Sequence, residues 1–455
     1  MRIVLANGTL VLPEGEVPGD LVMEDGQIVE IREREEQGSP LPQEEAEVVD
    51  VSGMLVFPGF IDGHTHLDLP VSGTVTADDF ESGTKAAVCG GTTCVVDFCT
   101  QDFGQSMREA YDLWRAKADG KSYTDFAFHM ALSEWNDRIK KELPEVRKLG
   151  ICSFKVYLAY AMRFQDDELY EALCRVKELG GIIGVHCENG LMVEKRREEL
   201  LRRGERGPYA HPLSRPSALE AEAIDRLTWL AFLASAPCHV VHLSSEDGLK
   251  SVRRARERGQ QVYVETCPQY LLLNDSNYDR PDFEGAKYVM SPPLRKDTDL
   301  AALHQAVLAG EIGTISTDHC SFRFDTQKTI GREDFTKIPN GAPGIEHRPA
   351  LMMTCFAGEL SPGALMRLMS ENTARLFGLY PRKGALLVGS DADVTVWDPS
   401  VSWVISEKNQ HQRVDYTPYE GFAVKGRAHL VYVKGQLQAK DGEIVGSPCG
   451  AYVAR

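Results

Sequence analysis

Two histidines one residue apart close an apolar run near the start of the chain. Leu55-Val56-Phe57-Pro58-Gly59-Phe60-Ile61 leads into Asp62-Gly63 and then His64-Thr65-His66. In extended backbone, residues i and i+2 point to the same side. His64 and His66 can therefore aim two imidazoles at one point just past a buried strand, an arrangement that suits a divalent metal. A polar turn with no ligand fits the same pair, because short motifs carry a high false-positive rate.

Four more residues recur in comparable places. Lys155 lies in Ser153-Phe154-Lys155-Val156-Tyr157, His186 ends Gly184-Val185-His186, His242 ends His239-Val240-Val241-His242, and Asp318 follows Ser316-Thr317. Singly, a strand-end histidine can be a satisfied polar residue, and an aspartate after a strand can cap the next helix. His239 is read that way, pointing aside or lying deeper. Lys155 has no such explanation, because a lone ammonium in an apolar strand is expensive to bury. An ammonium also has no lone pair for a metal. Addition of CO2 to the neutral amine makes it a carbamate (N6-carboxylysine), an anionic two-oxygen ligand able to bridge two cations. One cation then takes His64, His66, the carbamate and Asp318; the other takes the carbamate, His186 and His242. Two metals held close can share a hydroxide and lower the pKa of its parent water. Schiff-base chemistry at Lys155 is the alternative, but it has no need of four histidines.

The elements that must position these groups follow an alternating grammar. Short β-branched runs occur at Leu55–Ile61, Thr92–Phe98, Phe126–Leu132, Cys152–Leu158, Ile182–His186, His239–Leu243, Gln261–Glu265 and Gly313–Thr317. Amphipathic stretches follow several of them: Asp79–Cys89, Gln105–Ala118, Asp166–Leu179, Leu219–Ser235 and Glu246–Arg258. Eight such units predict an α/β fold, a (β/α)8 TIM-like barrel whose catalytic groups sit at the C-terminal strand ends. An open doubly wound sheet is the runner-up, but no GxGxxG follows a strand. Both ends of the chain read instead as short strands and tight turns, with hairpins expected at Asn7-Gly8 and Glu24-Asp25-Gly26 and an exposed polar loop from Arg32 to Glu47. The expected organisation is residues 1–54 and 381–455 as the two parts of one β-sandwich, with the barrel over residues 55–380.

The bulk composition narrows the partners. The 455 residues carry a net charge of -17, which argues against nucleic acid and against an anionic membrane surface. No run is long and apolar enough to span a bilayer, and no signal peptide is visible at Met1-Arg2-Ile3. Eleven cysteines, without a CxxC pair, fit reduced thiols in a cytoplasmic protein.

The motifs, in order, are PGFIDGHTHLDLP (Pro58–Pro70), GGTT (Gly90–Thr93), SFKVYLAY (Ser153–Tyr160), VHCEN (Val185–Asn189), VVHLS (Val240–Ser244), YVMSPPLR (Tyr288–Arg295), STDHC (Ser316–Cys320), IPNGAPGIEHR (Ile338–Arg348) and GSDADVTVWD (Gly389–Asp398). Over nearly its whole length the chain resembles the dihydropyrimidinase and D-hydantoinase family of the amidohydrolase superfamily. The resemblance implies a barrel with a terminal β-sandwich, commonly as a homotetramer (or a homodimer), and two metal ions, usually zinc, with manganese or cobalt possible. It implies His64, His66, carboxylated Lys155, His186, His242 and Asp318 as ligands. Tyr160 matches a tyrosine that stabilises an oxyanion, and Ser291 and Asn340 match residues whose backbone groups bind the imide edge of the ring. Leu69, Tyr157 and Phe164 match side chains lining the pocket for an exocyclic substituent. The implied substrate is a small cyclic amide, a hydantoin or 5,6-dihydropyrimidine, opened with Asp318 as the proton carrier. Dihydroorotase-like relatives carry an arginine just after the HxH pair, where this chain has Asp68. Allantoinase-like enzymes differ around the HxH and the tyrosine loop, and a non-catalytic scaffold of the same fold lacks metal ligands that are all present here.

Overall fold

A computed structural model of the chain describes residues 1–34 and 46–455. Most of the polar loop expected from Arg32 to Glu47 lies outside the described residues.

Eight parallel strands form one sheet: Phe60–Thr65, Thr92–Thr100, Asp125–Ala131, Ser153–Tyr157, Ile182–His186, Cys238–Val240, Val262–Thr266 and Thr314–Ile315. A parallel bridge from Thr65 to His319 joins the first strand to the segment after the eighth, so the sheet closes into a barrel. Both faces of such a sheet are covered, which explains the near-continuous apolar runs. The helices bury one stripe each. In Met107–Ala118 the buried residues are Met107, Ala110, Tyr111, Trp114 and Ala118, the spacing of a helical face, and Ser106 and Glu109 close a capping box at its start. The other expected helices are present within two residues of their predicted ends, as Phe80–Cys89, Asp166–Glu178, Ser217–Leu233 and Glu246–Glu257.

The first apolar run differs from expectation. It is two strands, not one. Leu55–Pro58 pairs with Thr9–Leu10 and with Val394–Trp397 in the terminal sheet, and only Phe60–Thr65 enters the barrel. The change of sheet falls at Gly59, where an added Cβ would lie 2.0 Å from Thr93 Oγ1. The chain crosses there because no side chain stands in the way.

The terminal segments join in a second unit. Their strands form one nine-stranded mixed sheet, with Arg2–Leu12, Gly15–Glu24 and Gln27–Glu33 from one end and Val394–Val404, Ala423–Val433, Gln436–Lys440 and Glu443–Ile444 from the other. Asn7-Gly8 is not a hairpin turn. It is a bulge inside the single strand Arg2–Leu12, with Asn7 at φ 65° and a register shift between Leu5 and Gly8. The extra residue reverses the alternation: Ile3 and Leu5 face the sheet's own core before it, Leu10 and Leu12 after it. Val11, Phe57, Trp397 and Val431 face the other way and join the barrel core. The Glu24–Gly26 turn is present between the second and third strands.

Candidate metal centre and active site

Buried carboxylates fix the HxH pair. Asp62 accepts from His64 N (3.2 Å), Thr317 N (3.1 Å) and Thr317 Oγ1 (2.7 Å), tying the first strand to the eighth. Asp97 accepts from Thr65 Oγ1 (2.8 Å) and Leu67 N (2.9 Å), on either side of His66, and from Trp114 Nε1 (3.1 Å). The imidazoles are thereby turned toward one carboxylate: Asp318 Oδ1 lies 3.2 Å from His64 Nε2 and 3.1 Å from His66 Nε2. His64 Nδ1 donates to Glu265 Oε1 at 2.6 Å, which fixes the ring's orientation and turns Nε2 toward Asp318. That Nε2 is buried and has no hydrogen-bond partner among the described residues.

The second half of the cluster is built the same way. His186 Nε2 donates to Glu188 Oε2 at 2.8 Å, and its Nδ1 lies 3.0 Å from His242 Nε2. Glu188 also accepts from the buried guanidinium of Arg215, and Arg215 stands 5.5 Å from the Tyr160 ring centroid. Lys155 is 1% exposed, and its Nζ sits 5.0 Å from the Phe98 ring centroid and 5.4 Å from that of Tyr157. The donor atoms of His64, His242 and Asp318 lie within 4.8 Å of one another. Four imidazoles at one place, two of them (His64 and His186) held through the second nitrogen by buried acids, together with a carboxylate and a buried His64 Nε2 that makes no hydrogen bond of good geometry, form a donor set that fits divalent metal.

Electrostatics follow the burial. Burial opposes a charge on His64, but Glu265 and Asp318 lift its pKa to about 9. Burial drops His66 to about 4. Burial likewise lowers Lys155 to about 8, against the pull of Asp318 and Glu265. Asp318 is held well below the usual carboxylate range: burial works against its charge, and the neighbouring His64 and His66 outweigh it. Burial raises the Tyr160 phenol and keeps it a proton donor. Three of these residues have left-handed backbone, Tyr160 at φ 69°, His242 at φ 40° and Asp318 at φ 53°. Such conformations cost about 1–3 kcal/mol each and cluster at functional sites.

One cavity of about 330 Å³ collects the site residues. His64, His66, Lys155, His186, His242 and Asp318 line its floor. Tyr157, Tyr160, Ser291, Asn340 and Leu69 line the cavity as well. Ser291 Oγ donates to Asn340 Oδ1 at 3.0 Å, so the two segments are in contact; the Ser291–Pro292 peptide is cis. A small hairpin, Pro70–Val71 with Thr74–Val75, contributes Val71 and Ser72 as a roof.

One expected lining residue is elsewhere. Phe164 is buried in the main core, 6.1 Å from Trp135 between ring centroids, and the cavity is lined instead by Ala161 and Met162 of the same loop. His239 lies deeper, as read from sequence, among His129, Ser153 and Phe377 in the barrel interior. Sequence reasoning missed Asp62, Asp97, Glu188 and Glu265. The clue that singled out Lys155, a charge within an apolar run, applies equally to Asp97 in Val95-Val96-Asp97-Phe98 and to Glu265 in Val262–Thr266.

A closed barrel with histidines, a lysine and an aspartate at its C-terminal strand ends defines an amidohydrolase-type architecture. Comparison with known proteins takes this further. Residues 55–438 match the model of the amidohydrolase family. The chain is 43% identical to the D-hydantoinase of Geobacillus stearothermophilus, over 100% of this chain and 97% of that one. It is 41% identical to the D-hydantoinase of Streptomyces coelicolor, over 100% and 98% of the two chains. The crystal structure of dihydropyrimidinase from Brevibacillus agri matches it with a TM-score of 0.97 and 41% identity, covering 100% of this chain and 99% of that one. The chain belongs to the amidohydrolase family and, within it, to the D-hydantoinase and dihydropyrimidinase group.

Proposed function

We propose that this enzyme hydrolytically opens hydantoin or 5,6-dihydropyrimidine rings to N-carbamoyl amino acids, with two divalent metal ions, zinc foremost, in the cavity. The observation that carries the reading is a single cavity with the whole ligand set on its floor and Tyr160, Ser291 and Asn340 on its walls. His64, His66, Asp318 and carboxylated Lys155 would hold one ion, and Lys155, His186 and His242 the other. Bound metal supplies Lewis acidity toward the ring carbonyl and a water of lowered pKa.

The rest of the work belongs to the protein. Asp318, held as a carboxylate, takes the proton of the attacking water and delivers it to the leaving ring nitrogen. The Tyr160 hydroxyl donates to the carbonyl oxygen as negative charge develops there. Main-chain groups at Ser291 and Asn340 pair with the imide edge and orient the ring. With a pKa of about 8, Lys155 is neutral in roughly a tenth of molecules at pH 7, and the neutral amine is the form that takes up CO2.

A neutral ring suits the cavity better than a dihydroorotate-like anion. Among the described residues, Lys155 is the one lysine or arginine lining it. Asp68, which stands where dihydroorotase-like relatives have arginine, is 3.8 Å from Lys117 and outside the lining. Self-association, as a homotetramer or a homodimer, is supported by apolar side chains left open on one helix, Trp229, Phe232 and Leu233. Work in the cytoplasm is supported by eleven unpaired cysteines.

A panel of dihydrouracil, hydantoin, 5-substituted hydantoins, allantoin and dihydroorotate, assayed with zinc, manganese and cobalt, tests the reading. Turnover of dihydrouracil or a hydantoin is expected. Turnover of allantoin or dihydroorotate alone would overturn it.

A further inference from the structure

The segment that begins at Asp318 runs on to a short 3-10 helix, Lys328–Gly331. Two consecutive residues at its start reach opposite walls of the cavity. Gln327 Nε2 donates to Thr74 Oγ1 (2.8 Å) and to the Val75 carbonyl (2.7 Å), and so holds the roof hairpin. Lys328 turns the other way. Its side chain is wholly buried, and Nζ donates to the carbonyl oxygens of Val289, Pro339 and Gly341, each at 2.7 Å.

Those carbonyls belong to the two segments that carry Ser291 and Asn340. Val289 stands two residues before Ser291, and Pro339 and Gly341 flank Asn340. Among the described residues, no other hydrogen bond reaches the Pro339 or Gly341 carbonyl, and Lys328 forms no ion pair. An ammonium has three N–H donors, and here three carbonyls take them all. Charge-assisted bonds of this kind offset part of the cost of burying an ammonium without a carboxylate, a cost that shows in a Lys328 pKa lowered by burial to about 7. An apolar residue would bury more easily, so the lysine is there for what it holds together.

We propose that Lys328 is a positioning residue for the imide edge of the substrate, setting the spacing between the main-chain groups at Ser291 and those at Asn340. It touches neither the ring nor the metal ligands. The proposal rests on the ring-opening reading above. Its signature is kinetic. Misplaced imide-binding groups weaken ground state and transition state alike, so KM rises and kcat holds. A residue that merely supports folding would do the reverse, because a smaller active fraction lowers apparent kcat at constant KM.

The experiment measures kcat, KM and metal content for the holoenzyme, Lys328→Gln and Lys328→Met with dihydrouracil and hydantoin. The glutamine variant keeps two N–H donors and carries the test if the methionine variant fails to fold. The expected result is a KM about tenfold or more above wild type in Lys328→Met, a smaller rise in Lys328→Gln, and kcat within about threefold, at unchanged metal content. Unchanged KM in the folded variants, with or without a fall in kcat, would overturn the proposal while leaving the reaction intact. Absence of wild-type turnover on either ring would overturn both.

Discussion

The floor of the cavity is made of strand ends and its roof of a hairpin and a loop. On the floor, buried acids brace three of the histidines: Asp62 and Asp97 bond the backbone around the HxH pair, Glu265 the His64 ring and Glu188 the His186 ring. The roof hairpin has two residues per strand, with Ser72 at φ 54° and Gly73 at φ 73° in its turn. Its Val71 and Val75 are 36% and 42% exposed. A two-stranded hairpin is marginally stable alone; Thr76 closes its base against Leu69, and Gln327 ties it to the segment after Asp318. The difference separates two tasks. The floor must hold charge at fixed distances in a buried place, which tolerates no slack. On the proposed function the roof would have only to cover a substituent, and could change its residues without disturbing the chemistry.

Substitutions on either side of that division should have different kinetic signatures. Tyr160→Phe sits at the border between the two and should behave as floor: kcat falls by about 10²-fold with metal content intact. A change in KM alone would move the tyrosine to the roof. Glu265→Gln never touches substrate, yet it removes the carboxylate that orients His64. Metal affinity, measured by competition with a chelator, should weaken about 10–100-fold. Met162→Ala should act only as roof. For hydantoins with a bulky 5-substituent kcat/KM falls about tenfold, while dihydrouracil is unaffected within experimental error.

The smallest effect concerns pH. Burial lowers the Lys155 pKa from 10.5 to about 8, so its neutral, CO2-reactive fraction grows as pH rises toward that value and levels off above it. At fixed dissolved CO2, recovery of metal-free protein on adding zinc should therefore speed up about fivefold from pH 7 to pH 8 and little more beyond. A rate that falls with pH over this interval would contradict a carbamate at Lys155.

The same division governs what could be read from sequence. The floor was legible because its residues break a pattern: a lysine or histidine in a β-branched run is conspicuous. The acids behind them break the pattern as well, but their partners lie far away in sequence. Asp62 meets Thr317, and Glu265 meets His64, only when the barrel closes. The walls were harder. Phe164 faces the core because the loop returns it to Trp135, and Met162 takes its place at the cavity; periodicity does not apply to a loop. Asn7-Gly8 has the chemistry of a turn and also of a bulge, since both use a positive φ, and only the pairing of the flanking residues decides. The run Leu55–Ile61 looked continuous because both of its halves are buried strands, in different sheets.

A carbamate at Lys155 would join the two halves of the floor into one binuclear centre. Elemental analysis of purified wild-type and Lys155→Ala protein, both loaded with zinc in bicarbonate, tests it most directly. Two ions per chain are expected in the wild type, and in the variant fewer than one with no measurable ring opening. Full metal content and full activity in Lys155→Ala would contradict it.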